Sequence, residues 1–168
     1  VLETERLVLR PFTLKDVVPS HAMQLDPEVT RYTHDGGVRT LDEIERTVRE
    51  NVLGDYERVG FGRFAVEARM TGEFIGFAGL KYLPEHDLVD LGYRLRRDQW
   101  GKGLATEAGK AALDFGFNTL RLDRVHALVL PENEASVRVL EKLGVHFENE
   151  FMEDGLMAHR YVVVRQLG

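Results

Sequence analysis

The segment "LVDLGYRLRRDQWGKGLATEAGKAALDFGF", residues 88–117, decides the fold. Its first part, 88–95, favours a β-strand, whereas the part after the glycines has the residue spacing of a helix. One face of that helix is formed by residues at i, i+4, i+7 and i+11: Leu104, Ala108, Ala111 and Phe115. A strand that runs through glycines into a helix lets the backbone approach a bound group, because a helix start carries free N–H groups and a positive dipole end.

The glycine junction favours an anion site without matching a nucleotide-binding motif. Gly101 and Gly103 remove side chains that would block a phosphate, Ala105 keeps the path clear, and Thr106 adds a hydroxyl. The chain has no GxxxxGK[ST] motif, and Thr106 stands where a dinucleotide fingerprint needs its third glycine. A nucleotide-binding domain is therefore disfavoured. The local motif alone leaves open a tight turn with glycines for geometry only.

Composition narrows the class of protein. The 168 residues are expected to form a single domain, 1–168, with a sizeable core. Cysteine is absent, which excludes disulfides and thiolate chemistry, and the six histidines show no metal-ligand spacing, so no metal is expected. A net charge of −6 disfavours nucleic acid as a partner. No apolar run is long enough for a membrane span or a signal peptide, so we expect no membrane partner and a cytoplasmic location.

The pattern along the chain predicts the order β-α-α-β-β-β-α-β-α-β-β. This is an α/β (mixed α+β) fold with a central mixed sheet of about seven strands flanked by four helices. The second helix begins at a capping box formed by Thr40 and Glu43. The predicted strands are "ERLVLRPF", "FGRFAVEAR", "EFIGFAGLKYL", "LVDLGYRLR", "RVHALVL", "HFENEF" and "HRYVVVRQL".

The helix "NEASVRVLEKLG" carries polar residues at a second candidate site. Asn133, Ser136 and Leu140 share a face near its start. For the first two, an alternative is that Asn133 is only the N-cap and Ser136 only a helix hydroxyl. The apolar face of this helix is predicted to be Ala135, Val139 and Leu143.

Two of these segments carry a family resemblance. "DLGYRLRRDQWGKGLATEAGKAALDFGF" and "HALVLPENEASVRVLEKLGV" resemble the GNAT superfamily of N-acetyltransferases, most of all its branch of ribosomal-protein alanine/serine N-terminal acetyltransferases. "TERLVLRPF" and "FIGFAGL" are similar to that branch as well, so the resemblance covers nearly the whole chain. It implies the GNAT acyl-CoA N-acyltransferase fold, with acetyl-CoA as cosubstrate and an amine as acceptor.

The resemblance also implies where acetyl-CoA binds. The family holds the pyrophosphate on a Q/R-x-x-G-x-G/A loop, which corresponds to 100–105 with Trp100 in place of Gln or Arg. The pantetheine arm would pair with a strand edge, in a gap beside "HALVL". The implied cofactor-binding residues are Tyr93, Leu95, Trp100, Gly101, Lys102, Gly103, Leu104, Ala105, Thr106, Asn133 and Ser136.

The implied reaction is direct attack of a neutral amine on the thioester, with a backbone N–H near 92–95 as the oxyanion donor. Many relatives carry a tyrosine acid where this chain has Leu140, so Ser136 is the candidate acid, with a purely structural or CoA-contacting hydroxyl as the alternative. Asp90 is the candidate base, acting through water, and a solvated strand carboxylate is its alternative. Asp87 and Glu67 are weaker candidates.

The acceptor is left open. A lysine amine costs about 4.6 kcal/mol to deprotonate at pH 7, and an α-amine about 1 kcal/mol, so a site without a strong base favours an α-amine such as a protein N-terminus. The alternatives are a small-molecule amine (an antibiotic, a polyamine or an amino acid) and a sensor that binds acyl-CoA without turnover. Dimers are common among the relatives, so a homodimer is a further expectation.

Overall fold

A computed structural model describes residues 1–33, 39–153 and 155–166. The described chain forms one mixed sheet of eight strands: β1 (Leu2–Glu3), β2 (Leu7–Pro11), β3 (Arg63–Ala68), β4 (Phe74–Leu83), β5 (Leu88–Leu95), β6 (Arg124–Val129), β7 (His146–Glu153) and β8 (Leu156–Val164). The predicted seven strands are all present. The additional strand, β1, has only two residues and is too short to leave a periodic pattern.

Four helices flank the sheet in the described residues, the number that the sequence predicts. They are α1 (Val17–Gln24), α2 (Leu41–Thr47, continued by a π-helical turn Val48–Val52 and by Leu53–Arg58), α3 (Leu104–Asn118) and α4 (Glu134–Lys142). The capping box at the start of α2 is confirmed, since Thr40 accepts from the backbone of Glu43 and the Glu43 side chain accepts in return.

The sheet has a gap in its middle, where β5 and β6 diverge. The order is β1-β2-β3-β4-β5-β6-β8-β7, and only the β5–β6 pair is parallel within the described sheet. β5 pairs with β4 along its whole length, from Leu88 to Leu95. With β6 it shares a single register pair, Asp90 with His126, in the part of the chain described. Beyond Asp90 the two strands diverge, so one edge of β5 is open.

The two faces of the sheet are covered by different helices. On one face, Leu104 and Ala108 of α3 pack against Ile75 and Leu95 of the strands. On the other, residues of α1 and α2 pack with strand residues in a separate cluster: Phe12, Val17, Ile44, Val48, Ala65 and Phe74. Since strand side chains alternate, β5 presents Tyr93 to the α3 face and Arg94 to the α1 face.

The predicted apolar face of α4 is wrong in part. Its buried residue is Leu140, which is 3% exposed, whereas Ala135 is exposed. The reason is that Ala135 and Val139 border a cleft, so these two residues do not belong to the core. Leu143 does pack against the core, together with Val137.

Candidate active site

A cleft of about 930 Å³ passes through the gap between β5 and β6. We call its two ends the glycine side and the basic side. The glycine side is lined by the open edge of β5, by residues 99–101 and 103–106 and by the start of α4. The basic side is lined by residues of α1 and α2 and by the described part of their connection. Its basic residues are Arg31, Arg39, Arg63, Lys81 and Arg94, and its acidic residues are Glu28, Asp55 and Asp90.

The glycines of the junction are needed for their backbone conformation. Gly101 and Gly103 have φ of 75° and 78°, in the left-handed region where a Cβ is strained. Gly103 is the N-cap of α3, so the free N–H groups of Leu104, Ala105 and Thr106 begin directly after it. A Cβ on Gly101 would meet nothing within 4 Å, so the space beside the loop is open. The two glycines and residues 104–106 line the cleft, whereas Lys102 does not.

Lys102 contributes its backbone to an anchor that the sequence does not reveal. Arg6 donates to the Lys102 carbonyl at 2.8 Å and to the Glu107 carboxylate at 2.8 Å. Thr4 also donates to Glu107, at 2.5 Å. Burial raises the pKa of Glu107, but the hydrogen bonds from Thr4 and Arg6 outweigh it and leave the pKa below its usual value. These contacts tie the segment between β1 and β2 to the glycine loop.

The open edge of β5 is partly shaped by Trp100. Its indole N–H donates to the Leu95 carbonyl at 3.0 Å, which folds the loop back onto the end of the strand. A carbonyl oxygen has a second lone pair, so Leu95 can still accept from a ligand. Both Tyr93 and Leu95 line the cleft.

Ser136 and Tyr93 meet on the glycine side. The Tyr93 hydroxyl donates to Ser136 Oγ at 3.1 Å, from β5 to the start of α4. Burial raises the pKa of Tyr93, and the bond to Ser136 opposes this only in part, so the phenol stays protonated at neutral pH. The Asn133 side chain accepts from the Ser136 backbone N–H at 3.3 Å, which confirms Asn133 as the N-cap. Leu140, at the position of the family tyrosine, lies in the core.

Asp90 lies where β5 and β6 diverge, and it is 8% exposed. The interpretation of Asp90 as a solvated carboxylate is therefore wrong. One of its oxygens accepts from Arg63 at 2.7 Å, and the other accepts from the backbone N–H of Leu128 at 3.0 Å. Arg63 also donates to the carbonyls of Gly79 and Asp90. The ion pair thus connects β3, β4, β5 and β6 at the mouth of the gap.

The sequence pattern does not single out Arg63, and it includes Gly92 only as part of the 92–95 backbone stretch. A Cβ on Gly92 would lie 2.6 Å from Arg63 Nη2, so a glycine is needed for the guanidinium to reach Asp90. The glycine in "LGY" is the one sequence signal that points to this close approach. The weaker base candidates have other contacts: Glu67 accepts from Arg10 at 2.7 Å, and Asp87 accepts from Tyr82 at 2.8 Å.

The basic side contains a guanidinium whose contacts include the side chains of Gln24 and Phe77. Arg94 donates to the Gln24 side-chain oxygen at 2.5 Å and lies 5.3 Å from the centre of the Phe77 ring. Gln24, which is 4% exposed, donates in turn to Ser20 at 3.1 Å. All four residues line the cleft.

The described residues show neither a metal cluster nor a membrane-spanning helix. No group of three or more His, Asp or Glu side chains there is arranged to hold a metal ion, and His34 lies outside the described residues. None of the described helices combines the length and apolar character needed to cross a bilayer.

The divergent strand pair, the open strand edge and the glycine start of α3 define an acyl-CoA-dependent acyltransferase. A family model described as "Acetyltransferase (GNAT) domain" matches residues 6–146. The chain belongs to the GNAT family and is an N-acetyltransferase.

Known proteins similar to this chain are named as acetyltransferases, and two of them are named for different acceptors. N-acetyltransferase p20 of Bacillus licheniformis is 34% identical over 93% of this chain and 84% of its own length. Spermidine N(1)-acetyltransferase of Escherichia coli K12 is 29% identical over 91% of this chain and 80% of its own length. The fold matches that of RimL, a ribosomal L7/L12 alpha-N-protein acetyltransferase solved with coenzyme A, with a TM-score of 0.80, 18% identity and coverage of 96% and 95%.

The glycine side fits acetyl-CoA, the acetyl donor of GNAT enzymes. Its loop is open where a Cβ on Gly101 would point, and the start of α3 supplies backbone donors for an anion. The free edge of β5 offers backbone groups to an extended arm.

Proposed function

We propose that the chain transfers the acetyl group of acetyl-CoA to an α-amine, with a protein N-terminus as the first candidate acceptor. The observation that carries this proposal is the gap beyond Asp90, with the open edge of β5 next to the glycine start of α3. The gap provides a binding position for the donor on one face of the sheet and an approach for the acceptor from the other face.

The donor would be held by backbone groups more than by side chains. The N–H groups at 103–106 would bind the pyrophosphate, and the backbone of Tyr93 and Leu95 would pair with the pantetheine arm. The Asn133 carbonyl oxygen is used for the N-cap, so its amide N–H₂ is the part that can donate to the arm.

The chemistry requires two proton movements. Acetyl-CoA supplies an activated acetyl group as a thioester. The amine nitrogen forms a bond to the acetyl carbon, the C–S bond breaks, the amine loses a proton, and the thiolate accepts one. Backbone N–H groups at 92–95 would stabilise the negative charge on the acetyl oxygen.

The Tyr93–Ser136 hydrogen bond supports Ser136 as the group that meets the thiolate. Because Ser136 Oγ accepts from Tyr93, its own hydroxyl proton is available to a second acceptor in the cleft. We propose that Ser136 donates this hydrogen bond to the leaving sulfur and that Tyr93 polarises it.

Asp90 is less well placed for the role of base than the sequence suggests. Both of its carboxylate oxygens already accept hydrogen bonds, from Arg63 and from Leu128. An α-amine needs little help, since its deprotonation at pH 7 costs only about 1 kcal/mol. We therefore propose that the amine proton leaves through water and that Asp90 ties β5 to β6 at the point where the two strands begin to separate.

A small-molecule amine remains the second candidate acceptor, because a relative that is 29% identical acts on spermidine. An acyl-CoA sensor is the third. A kinetic assay separates the three: the enzyme is given acetyl-CoA and a peptide or small amine, and free CoA thiol is measured. Release that depends on a peptide N-terminus supports the proposal. Release with small amines only favours the second candidate, and binding of acetyl-CoA without any release favours the sensor.

The assembly and location of the enzyme stay predictions. The β7–β8 hairpin exposes the apolar side chains Phe147, Met152, Leu156 and Met157, and we propose this hairpin as the contact of a homodimer. Sedimentation of the wild type beside a Phe147→Glu variant tests it, since a monomeric wild type contradicts the homodimer. Cell fractionation tests the cytoplasmic location.

A further inference from the structure

One face of α4 lines the glycine side of the cleft and carries two basic residues. Ala135, Arg138, Val139 and Lys142 have the spacing i, i+3, i+4 and i+7, and all four line the cleft. The candidate acid Ser136 lies at the start of the same helix. Lys142 follows it by six residues, which is about 9 Å at the rise of a helix. The basic residues therefore lie along the cleft from its reacting end.

These two cations have no partner within the described residues, where they form neither an ion pair nor a side-chain hydrogen bond. Glu134 lies four residues before Arg138, the spacing of a helical ion pair, but the two do not pair. The basic residues on the other side of the cleft all have a polar partner: Arg31, Arg39, Arg63, Lys81 and Arg94. Although the chain has a net charge of −6, the glycine side thus presents two exposed positive charges that no described carboxylate neutralises.

The packing of α4 against α3 places these cations beside the glycine start of α3. A Cβ on Gly109 would lie 2.7 Å from Leu143 Cδ1, so the two helices are in close contact at this point. Gly109 belongs to the second turn of α3, and Leu143 follows Lys142 directly. The backbone donors at 104–106 begin one turn before Gly109 and line the same cleft. The two cations and the helix start therefore border one part of the glycine side.

The donor of the proposed reaction carries two separate anionic groups. Acetyl-CoA has a pyrophosphate between its pantetheine arm and its adenosine, and it has a phosphate monoester at the 3′ position of the ribose. Such a monoester has a charge of about −1.5 to −2 at pH 7 and three acceptor oxygens. The N–H groups at the start of α3 suit the pyrophosphate. The second anion needs positive groups beyond them.

We propose that Arg138 and Lys142 bind the 3′-phosphate of the donor. Side chains at i and i+4 start about 5–6 Å apart on one helix face, so both cations can reach a single phosphate. The guanidinium can take two of its oxygens in two-point fashion, and the ammonium can take the third. The inference rests on the proposed function and deepens it, because it assigns residues that select the donor.

A consequence of this assignment is a choice between two chemical classes of acetyl donor. An acyl carrier protein presents the same phosphopantetheine arm on a serine phosphodiester, without adenosine and without a 3′-phosphate. That donor would occupy the edge of β5 and the start of α3 but would leave Arg138 and Lys142 without an anion. The enzyme therefore selects the free coenzyme A thioester.

Calorimetric titration of the full chain with CoA and with 3′-dephospho-CoA tests the proposal. We expect the wild type to bind CoA about 10-fold more tightly, the effect of one or two hydrogen bonds to a charged group at an exposed site. The double variant Arg138→Gln, Lys142→Gln should lose this preference because its affinity for CoA falls, while its affinity for 3′-dephospho-CoA stays that of the wild type. Each single variant should lose part of the preference.

A matched control separates a local contact from the effect of net charge. Lys110 lies on α3 with its side chain 72% exposed, and it does not line the cleft. Lys110→Gln removes one positive charge, as each single variant does, and should keep the wild-type preference for CoA. The wild-type preference should also shrink as the ionic strength rises, because salt screens exposed charges. Thermal melts establish that each variant is folded.

The outcomes separate this inference from the proposed function, because the titration needs no turnover. Equal affinities of the wild type for the two ligands overturn the inference and leave acetyl transfer standing. A preference that persists in the double variant, or a loss of affinity for both ligands alike, overturns it as well. If no amine releases CoA, the proposed function fails, and a preference that the double variant loses still supports the phosphate site. If CoA does not bind to the wild type, both are overturned.

Discussion

Gly103 and Gly72 have nearly the same left-handed backbone, with φ of 78° and 74°, at two distant places in the chain. We predict that Gly103→Glu abolishes measurable acetyl-CoA binding, because it places a carboxylate at the helix start that would hold the pyrophosphate. Gly72→Glu has a similar backbone cost in the β3–β4 turn and should bind like the wild type. Calorimetric titration of acetyl-CoA checks both. Equal binding by the two variants would remove the glycine loop from the site.

The pH dependence of kcat in a Ser136 variant tests whether Ser136 donates a hydrogen bond to the leaving sulfur. We predict that Ser136→Ala lowers kcat by about 10-fold at pH 7, the effect of one hydrogen bond to a charged group. The deficit should shrink as pH rises past about 8.5, where a thiolate no longer needs a proton. Tyr93→Phe should give the same trend with a smaller effect, since its hydroxyl acts through Ser136. A deficit that is constant from pH 6.5 to 9.5 would assign Ser136 to binding alone.

At the scale of elements, the Arg63–Asp90 ion pair fixes where β5 and β6 separate. Asp90→Ala removes the carboxylate that faces the partly buried Arg63 guanidinium and the Leu128 N–H, and we expect it to lower the free energy of unfolding by about 3 kcal/mol. Asp114→Ala, which breaks the exposed pair with Lys110, is the control and should cost less than about 0.5 kcal/mol. Urea denaturation measures both.

A second substitution at Asp90 distinguishes a positioning role from the role of a general base. Asp90→Asn keeps an oxygen for the Leu128 N–H but loses the charge opposite Arg63. If Asp90 positions the strands, this variant raises KM for acetyl-CoA and keeps the acidic limb of the kcat profile. If Asp90 is the base, kcat falls, KM changes little, and the acidic limb disappears.

The elements around the site are predictable from the sequence where the pattern that specifies them lies within one short segment. The strand at 88–95, the glycines and the periodicity of α3 lie within one segment, and the N-cap at Asn133 is set by the next three residues. The contacts that build the site are not local. Arg63 binds Asp90 across 27 residues, and Arg6 binds Glu107 across 101. No periodic pattern relates such residues, because only the folded sheet brings them together.

At the scale of the whole molecule, two carboxylates, the buried Asp16 and the partly buried Glu107, contribute to the response to acid. Burial raises the pKa of Asp16 and of Glu107, but hydrogen bonds from Arg10, Thr13, Thr4 and Arg6 outweigh it and leave both pKa values below their ordinary 3.8 and 4.5. The unfolded chain therefore binds protons more readily than the folded one. This contribution to stability is complete above about pH 4.5 and is lost as the pH falls through the lowered values.

Urea midpoints measured between pH 7 and pH 3 check this sign. We predict that the midpoint falls below about pH 4.5 and that Glu107→Gln, which is less stable at pH 7, shows a shallower fall. Glu85→Gln is the control, since Glu85 is exposed, and it should follow the wild type. A wild-type midpoint that rises on acidification would contradict the assignment.

Because β5 and β6 share a single register pair, the sheet of the free enzyme is interrupted between these two strands. This interruption divides the sheet into a unit of β1 to β5 and a unit of β6, β8 and β7, joined in register at Asp90 and His126. A ligand arm that pairs with β5 takes the place of a missing strand, so the donor becomes part of the cooperative unit that unfolds. At a donor concentration 100 times Kd, linkage adds about 2.7 kcal/mol to the free energy of unfolding. Backbone amide hydrogen exchange should then slow in β6 and β8 as well as at the site, since the bound arm of acetyl-CoA fills the gap between the two parts of the sheet.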